Sequence, residues 1–304
     1  MNLSQRQLKM FVTTADLMNI SRASQALHIS QPALSRALQE LEAQLGVALL
    51  QRTTRQLSLT PDGQQFLPVA QRLLRDLEQA TVDVREQAKG LTGSVTLAVG
   101  SAFGSTVLPE IIRSFSASHP GVRLRLVDDN SAGICSRVRY AQADLGVGSP
   151  AGDMGGMTCK LLLTARLGLL ADATRFTLPA TGKLDGMDQL PLLKEPAESS
   201  IALALNRHGS ALTSQMSRGV EVSSLVLQLA LAQAGVGVAV VSALGASHPS
   251  AKGLQFVLLE PALEREVFIM TRSDRALNPS ARALEAAMTA GLTRVVLHPS
   301  VRLA

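Results

Sequence analysis

The chain has 304 residues, a formal net charge of +5, a pI near 9.7 and 46% hydrophobic residues. That length exceeds what one small core fills and implies two domains or more, with a mean hydropathy of +0.19 that allows large cores. An aromatic content of 3% with no tryptophan excludes a single-strand binder built on base stacking, and two cysteines, Cys135 and Cys159, exclude a disulfide framework.

The opening Met1-Asn-Leu-Ser-Gln-Arg6 lacks a basic start, an apolar run and a small-residue cleavage site, so a cytoplasmic protein is expected. Residues 20–27 and 30–42 read as two helices joined by a tight turn. In the second, Leu34, Leu38, Leu41 and Leu45 recur at steps of four, three and four and form one buried stripe. Ser30 is a natural N-cap, and Pro32 falls in the first turn, where its missing N–H costs nothing. Gln31, Pro32, Ser35, Arg36 and Gln39 are left on the outer face. Gln pairs bidentately with adenine and Arg with guanine, Pro touches a thymine methyl, and a helix N-terminus suits a phosphate. A buried helical hairpin would show the same leucine spacing, so the residues that follow must separate the two readings. Residues 47–52 and 57–60 read as short strands around a polar tip, a β-hairpin wing whose Arg52 and Arg55 lie along a phosphate backbone. Thr60 then caps a new helix with Pro61 at its first position. Residues 1–60 hold six Lys/Arg against three acids, so the positive charge is concentrated where DNA would be read.

The run Ala23, Ala26-Leu27, Ser30-Gln-Pro-Ala-Leu-Ser35, Leu41-Glu42, Leu45-Gly46, Leu49-Leu50, Arg52, Leu59-Thr60 and Gly63 resembles the winged helix-turn-helix of the LysR-type transcriptional regulators. Leu50 stands where that family usually has an aromatic residue. The resemblance continues to the C-terminus at lower specificity. It implies a sequence-specific regulator of α/β class: an N-terminal all-α winged helix-turn-helix (1–60), a long linker helix (61–90) and an effector domain (91–304). The effector domain would consist of two Rossmann-like, periplasmic-binding-protein-like subdomains, I at about 91–160 with 267–304 and II at about 161–266. The DNA contacts carried over are Ser30, Gln31, Pro32, Ser35, Arg36, Arg52 and Arg55. Double-stranded DNA, a small-molecule effector, a homodimer assembling to a homotetramer and RNA polymerase are the implied partners, with no cofactor.

Phe66, Ala70, Leu73, Leu77, Ala80 and Val84 are spaced four, three, four, three and four, the coiled-coil repeat, with charged residues off the stripe. The helix is expected from about Pro61 to Lys89, ended by Gly90 and Gly93, and roughly 40 Å long at 1.5 Å per residue. A lone solvated helix has no use for such a seam, so it reads as a dimerisation helix; packing against its own effector domain is the alternative.

From Ser94 strands and helices alternate: strand 95–99, helix 108–115, strand 122–127, a helix opened by 128–131 and strand 143–148. This βαβαβ run implies a parallel sheet, with ligands at the carboxyl ends of its strands. A second α/β unit follows to about Glu266, and strand 267–271 with helix 280–290 returns to the first. The uncharged stretch 223–246 has the length of a membrane span, but Gln228, Gln233 and its glycines argue for helix 225–233, a Gly235 C-cap and a buried strand 237–241.

Polar residues gather at the strand ends, so Ser101, Ala102, Phe103, Asn130, Ser131, Ser199, Ser200 and Ser223 are the expected effector contacts. Phe103 and strand 237–241 are expected as a dry wall. Helix N-termini would supply N–H groups without a side-chain cation, which favours an organic or aromatic acid. Ser242 replaces the proline with which the family usually ends the 237–241 strand. His119, His208 and His248 show no metal spacing, and the cysteines do not fall where redox-sensing members place their pair. Two other classes compete: a small-solute-binding protein, against which residues 1–60 speak, and an enzyme. No nucleophile elbow, His-Glu-x-x-His, phosphate loop or dinucleotide fingerprint is present to support the latter.

Overall fold

In the computed structural model, residues 3–52, 57–86, 92–179, 182–183, 190–207, 216 and 219–304 are described. The chain forms two compact units, one of Met1–Ala88 with Tyr140–Gln142 and one of Lys89–Arg139 with Ala143–Ala304.

The first unit holds α1 (Gln5–Leu17), α2 (Ile20–Ala26), α3 (Gln31–Leu45), the hairpin β1 (Leu50–Arg52) and β2 (Leu57–Leu59), and α4 (Pro61–Glu86). Each start is chemically marked. Ser4 and Gln7 form a capping box on α1, Asn19 caps α2 and the Ser30 hydroxyl accepts from Ala33 N on α3. Gly46 ends α3 at φ +73°, where its N–H reaches Glu42 O (2.8 Å) and a β-carbon would be strained. Leu34, Leu38 and Leu41 are buried as their spacing requires, in a core with Phe11, Ala23, Leu49 and Ala70. The Thr60 hydroxyl accepts from Gly63 N (3.0 Å) and donates to Ala48 O (2.6 Å), tying the start of α4 to the wing. Gly63 itself tolerates no side chain, because a β-carbon would lie 2.0 Å from Leu49 O.

The expected seam on α4 divides in two. Phe66 and Ala70 are spent inside the chain: the Phe66 ring sits 5.5 Å from that of Phe11, and Ala70 is fully buried. Leu73 and Leu77 remain 42% and 43% exposed, so only this later part of the stripe is left for a partner. The side chains of Ala80 and Val84, and the expected helix end at Lys89 and Gly90, lie outside the described residues.

The second unit is one mixed nine-stranded sheet with helices on both faces. The expected parallel run is present: β3 (Gly93–Val99) pairs in parallel with β4 (Val122–Asp128) and β5 (Leu145–Gly148). Between them lie α5 (Ser101–Thr106), α6 (Leu108–Ser118) and α7 (Ser131–Arg139); the stretch after Gly100, read from sequence only as a strand end, forms the short α5. The element not foreseen is β6 (Met157–Ala171), a single 15-residue strand. Its apolar end, Leu167–Ala171, follows Arg166 with no turn signal at which to divide the strand.

After β6 come β7 (Gly182–Lys183), α8 (Ser200–Arg207), α9 (Leu225–Gln233), β8 (Ala239–Ser242), α10 (Ala243–Ala246), β9 (Gln255–Glu260), β10 (Glu264–Arg272), α11 (Pro279–Gly291) and β11 (Val301–Leu303). β6 pairs antiparallel with β10 and β11 through its first part and with β8 and β9 through its second. β10 lies between β5 and β6. One lobe therefore centres on β3, β4, β5 and α11, the other on β8, β9 and α8, with β6 common to both. This is the two-subdomain, periplasmic-binding-protein-like arrangement. The main core joins Val95, Leu97, Phe103, Phe115 and Leu145 to Leu163, Leu229, Val241 and Leu284. Among the described residues, no helix is long and apolar enough to cross a membrane.

Candidate DNA-reading surface and effector cavity

On α3 the buried leucine stripe leaves Gln31, Pro32, Arg36 and Gln39 exposed and Ser35 half-exposed, on the face opposite the core. Ser30 is exposed at the helix start, where its hydroxyl holds the first turn and the neighbouring N–H groups point outward. The wing is held in place by Glu42. Its Oε1 accepts from Leu49 N (2.8 Å) and Leu50 N (3.0 Å), so the recognition helix and the first wing strand are joined by one carboxylate. The hairpin register, Leu50 opposite Leu59 and Arg52 opposite Leu57, carries the chain toward the tip. Arg55 and the side chain of Arg52 lie outside the described residues.

A cavity of about 90 Å³ opens in the second unit. Ser101, Ala102, Asn130, Ser131, Ser199, Ser200 and Ser223 all line it, so strand-to-helix junctions far apart in sequence converge on one place. Most of these polar groups also hold helix starts. Asn130 Oδ1 accepts from Gly133 N (2.8 Å) at the head of α7, and Ser199 Oγ accepts from Ala202 N (3.0 Å) at the head of α8. Ser242, in the usual proline position, lines the cavity and caps α10 through Gly245 N. Ile134, Ile201, Leu225 and Val241 supply the apolar wall.

Two expectations are corrected. Phe103 is not on the wall: α5 turns its ring into the core, where it is 2% exposed against the β3 side of the sheet. The cavity also does contain a side-chain cation. Arg265, on β10, projects into it, with Nε donating to Ser149 Oγ (3.0 Å) and Nη2 beside Gly100. Sequence reading missed it because Arg265 sits in Glu264-Arg-Glu266, which looks like a solvated strand end. Its partner at a distance is Glu195, 9% exposed, which also lines the cavity. The Glu195 carboxylate accepts from Gln228 Nε2 and from the Ser199 hydroxyl. Burial pushes its carboxyl above the usual range, against the pull of Gln228, Ser199 and Arg265; burial likewise lowers Arg265. Gln228, which sequence reading used only to argue against a membrane span, thus anchors a buried acid. Asp129, the remaining charged lining residue, is paired with Arg137 Nε (2.6 Å).

His119 stacks on Phe115 and His248 caps a turn, and His208 lies outside the described residues. Cys135 is buried against Met270 and Met154, and Cys159 is half-buried.

A helix-turn-helix with a wing, followed by a bilobed α/β domain with a polar cavity, defines a ligand-responsive DNA-binding regulator. Residues 5–64 match the bacterial regulatory helix-turn-helix protein, lysR family, and residues 88–293 match the LysR substrate binding domain. The chain belongs to the LysR family of transcriptional regulators. It is 29% identical over 289 residues to the uncharacterized HTH-type transcriptional regulator YfeR of Shigella flexneri, covering 93% of this chain and 92% of that one. It is 42% identical over 125 residues, 41% of this chain and 40% of the other, to an SDS degradation transcriptional activation protein of a Pseudomonas species. A full-length OxyR variant from Pseudomonas aeruginosa shares the fold at TM-score 0.68 and 22% identity, covering 99% of this chain and 98% of that one. CbnR complexed with its target DNA does so at TM-score 0.66 and 23% identity, covering 96% and 99%.

Proposed function

We propose that this regulator binds an inverted-repeat operator as a homodimer that assembles to a homotetramer, and that a small organic acid in the Arg265 cavity controls it. RNA polymerase is the further partner in this reading. Gln31, Ser35 and Arg36 read base edges, Pro32 makes an apolar contact, and Arg52 and Arg55 hold the phosphate backbone. The half-exposed leucines of α4 support pairing with a second copy, since a symmetric dimer matches a symmetric operator.

The observation that carries the effector reading is the guanidinium of Arg265, placed among the starts of α7, α8 and α9 in a cavity with an apolar wall. Fixed positive charge and free N–H groups favour an anionic end, and the dry wall takes the rest. Ligand binding between two lobes that share β6 would draw them together and so re-space the DNA-binding heads. A thermal-shift screen of small carboxylic and sulfonic acids on the full-length protein tests this, because a ligand that binds the native state raises its melting temperature. Calorimetry on Ser101→Ala and Ser131→Ala then checks the site. Both variants should lose effector affinity and keep operator binding; unchanged affinity in both places the ligand elsewhere.

A further inference from the structure

The cavity contains two opposite charges that do not touch. Arg265 and Glu195 both line it, and each feels the other's field, yet no nitrogen-to-oxygen approach of 4.0 Å or less joins them. Arg265 uses Nε on Ser149 Oγ, and none of the hydrogen bonds among the described residues uses its two Nη groups. Glu195 is held by Gln228 and Ser199, neutral donors that orient its carboxylate without neutralising it. The other charged lining residue, Asp129, is already taken up by Arg137. The site therefore presents one free cationic fork and one acidic acceptor, fixed on different elements of the fold. β10 carries the arginine, and the segment leading to α8 carries the glutamate.

A cavity built for a simple carboxylate would gain from Arg265 and lose from Glu195, because a second anion beside a buried carboxylate is repelled in a poorly solvated space. A ligand that bears an ammonium as well as a carboxylate turns both residues to use. Resting on the acid-effector reading above, we infer that the effector is a small amino acid, its carboxylate on Arg265 and its ammonium on Glu195. Size agrees. About 90 Å³ exceeds several-fold the roughly 10–15 Å³ that a single water needs, which leaves room for a small ligand. Ile134, Ile201, Leu225 and Val241 then face a short apolar side chain. Burial disfavours the Glu195 carboxylate, and an ammonium seated beside it offsets that cost.

The test is isothermal titration calorimetry of the full-length protein with the common α-amino acids, β-alanine and γ-aminobutyrate. Each is paired with the carboxylic acid that lacks only its amino group. The best amino acid should bind at least about 100-fold more tightly than its des-amino partner. Glu195→Gln should cut that preference below about 10-fold, weakening the amino acid and tightening its des-amino partner. Arg265→Met should abolish binding of both, and Arg265→Lys should weaken both, with melting curves confirming that the variants fold. If the des-amino acid binds as tightly and Glu195→Gln changes nothing, the amino-acid assignment falls while the acid reading stands. If ligands bind but neither Arg265 nor Glu195 substitutions affect them, the cavity reading itself falls. Absence of binding across the whole panel at about 10 mM also overturns the assignment.

Discussion

Replacing Glu42 with alanine should loosen the wing while leaving the recognition helix formed. Glu42 Oε1 is the acceptor for Leu49 N and Leu50 N at 2.8 and 3.0 Å, and its side chain is half-buried. Hydrogen bonds to a charged acceptor contribute about 1.5–3 kcal/mol each, and Leu49 and Leu50 are buried enough that water replaces the lost partner poorly. Solvent access on the Glu42 side lowers the sum, so the two bonds together stabilise the wing by about 2–4 kcal/mol. Because the chain has two units, a single unfolding midpoint would mix them, and native-state hydrogen exchange is the better measure. At about 1.4 kcal/mol per tenfold, the Leu49 and Leu50 amides of Glu42→Ala should lose protection by roughly 30- to 1,000-fold. Amides in the middle of α3 should change far less. Glu42→Gln, which retains a neutral acceptor, should fall between. Protection within about threefold of wild type at both amides would mean that the wing is held by its apolar contacts, and the reasoning would fail.

Arg36→Ala should weaken specific operator binding by about 1–3 kcal/mol in a gel-shift titration and relax preference at one base position, with non-specific binding little changed. Leu77→Asp should shift the full-length protein to smaller species in light scattering by placing an unpaired charge in the α4 seam, whereas the same change at exposed Gln39 should not. Glu195→Gln should make the ligand-free protein more stable at neutral pH. The folded carboxyl sits above its ordinary value of 4.5, so its contribution is full below that value and is lost as pH rises through the raised one. Melting temperature against pH should therefore fall less steeply for the variant, and parallel curves would refute the assignment.

The N-terminal unit was legible because its signals are local. Leucine spacing, Ser30, Pro32 and the Thr60-Pro61 cap each act within a few residues; the caps and the proline are seen in their expected roles, and of the four leucines only Leu45, at the helix end, is half-buried rather than buried. The α/β alternation and helix 225–233 were legible for the same reason. What escaped is what depends on distant pairing. β6 is long because four other strands lie against it, which no feature of residues 157–171 announces. Phe103 follows the handedness of α5 into the core, and the direction of one helical turn is not written in Gly100–Ser105. Arg265 and Glu195 reach the same cavity only through the tertiary fold, 70 positions apart in the chain.

The place of β10 in the sheet also sets a timetable for synthesis. β10 is the only strand described between β5 and β6, so until residues 264–272 leave the ribosome the two lobes have no shared sheet. From the end of β5 at Gly148 to the start of β10 at Glu264, translation at about 5–20 residues per second takes roughly 6–23 s. Through that interval the edge of β5, the buried run Leu145–Gly148, waits unpaired and open to the wrong strand. The DNA-binding head has by then long been complete. A nascent chain halted before residue 264 would thus carry a finished reader of DNA attached to an effector domain that cannot yet close. A ribosome-bound chaperone would find its work on the β5 edge.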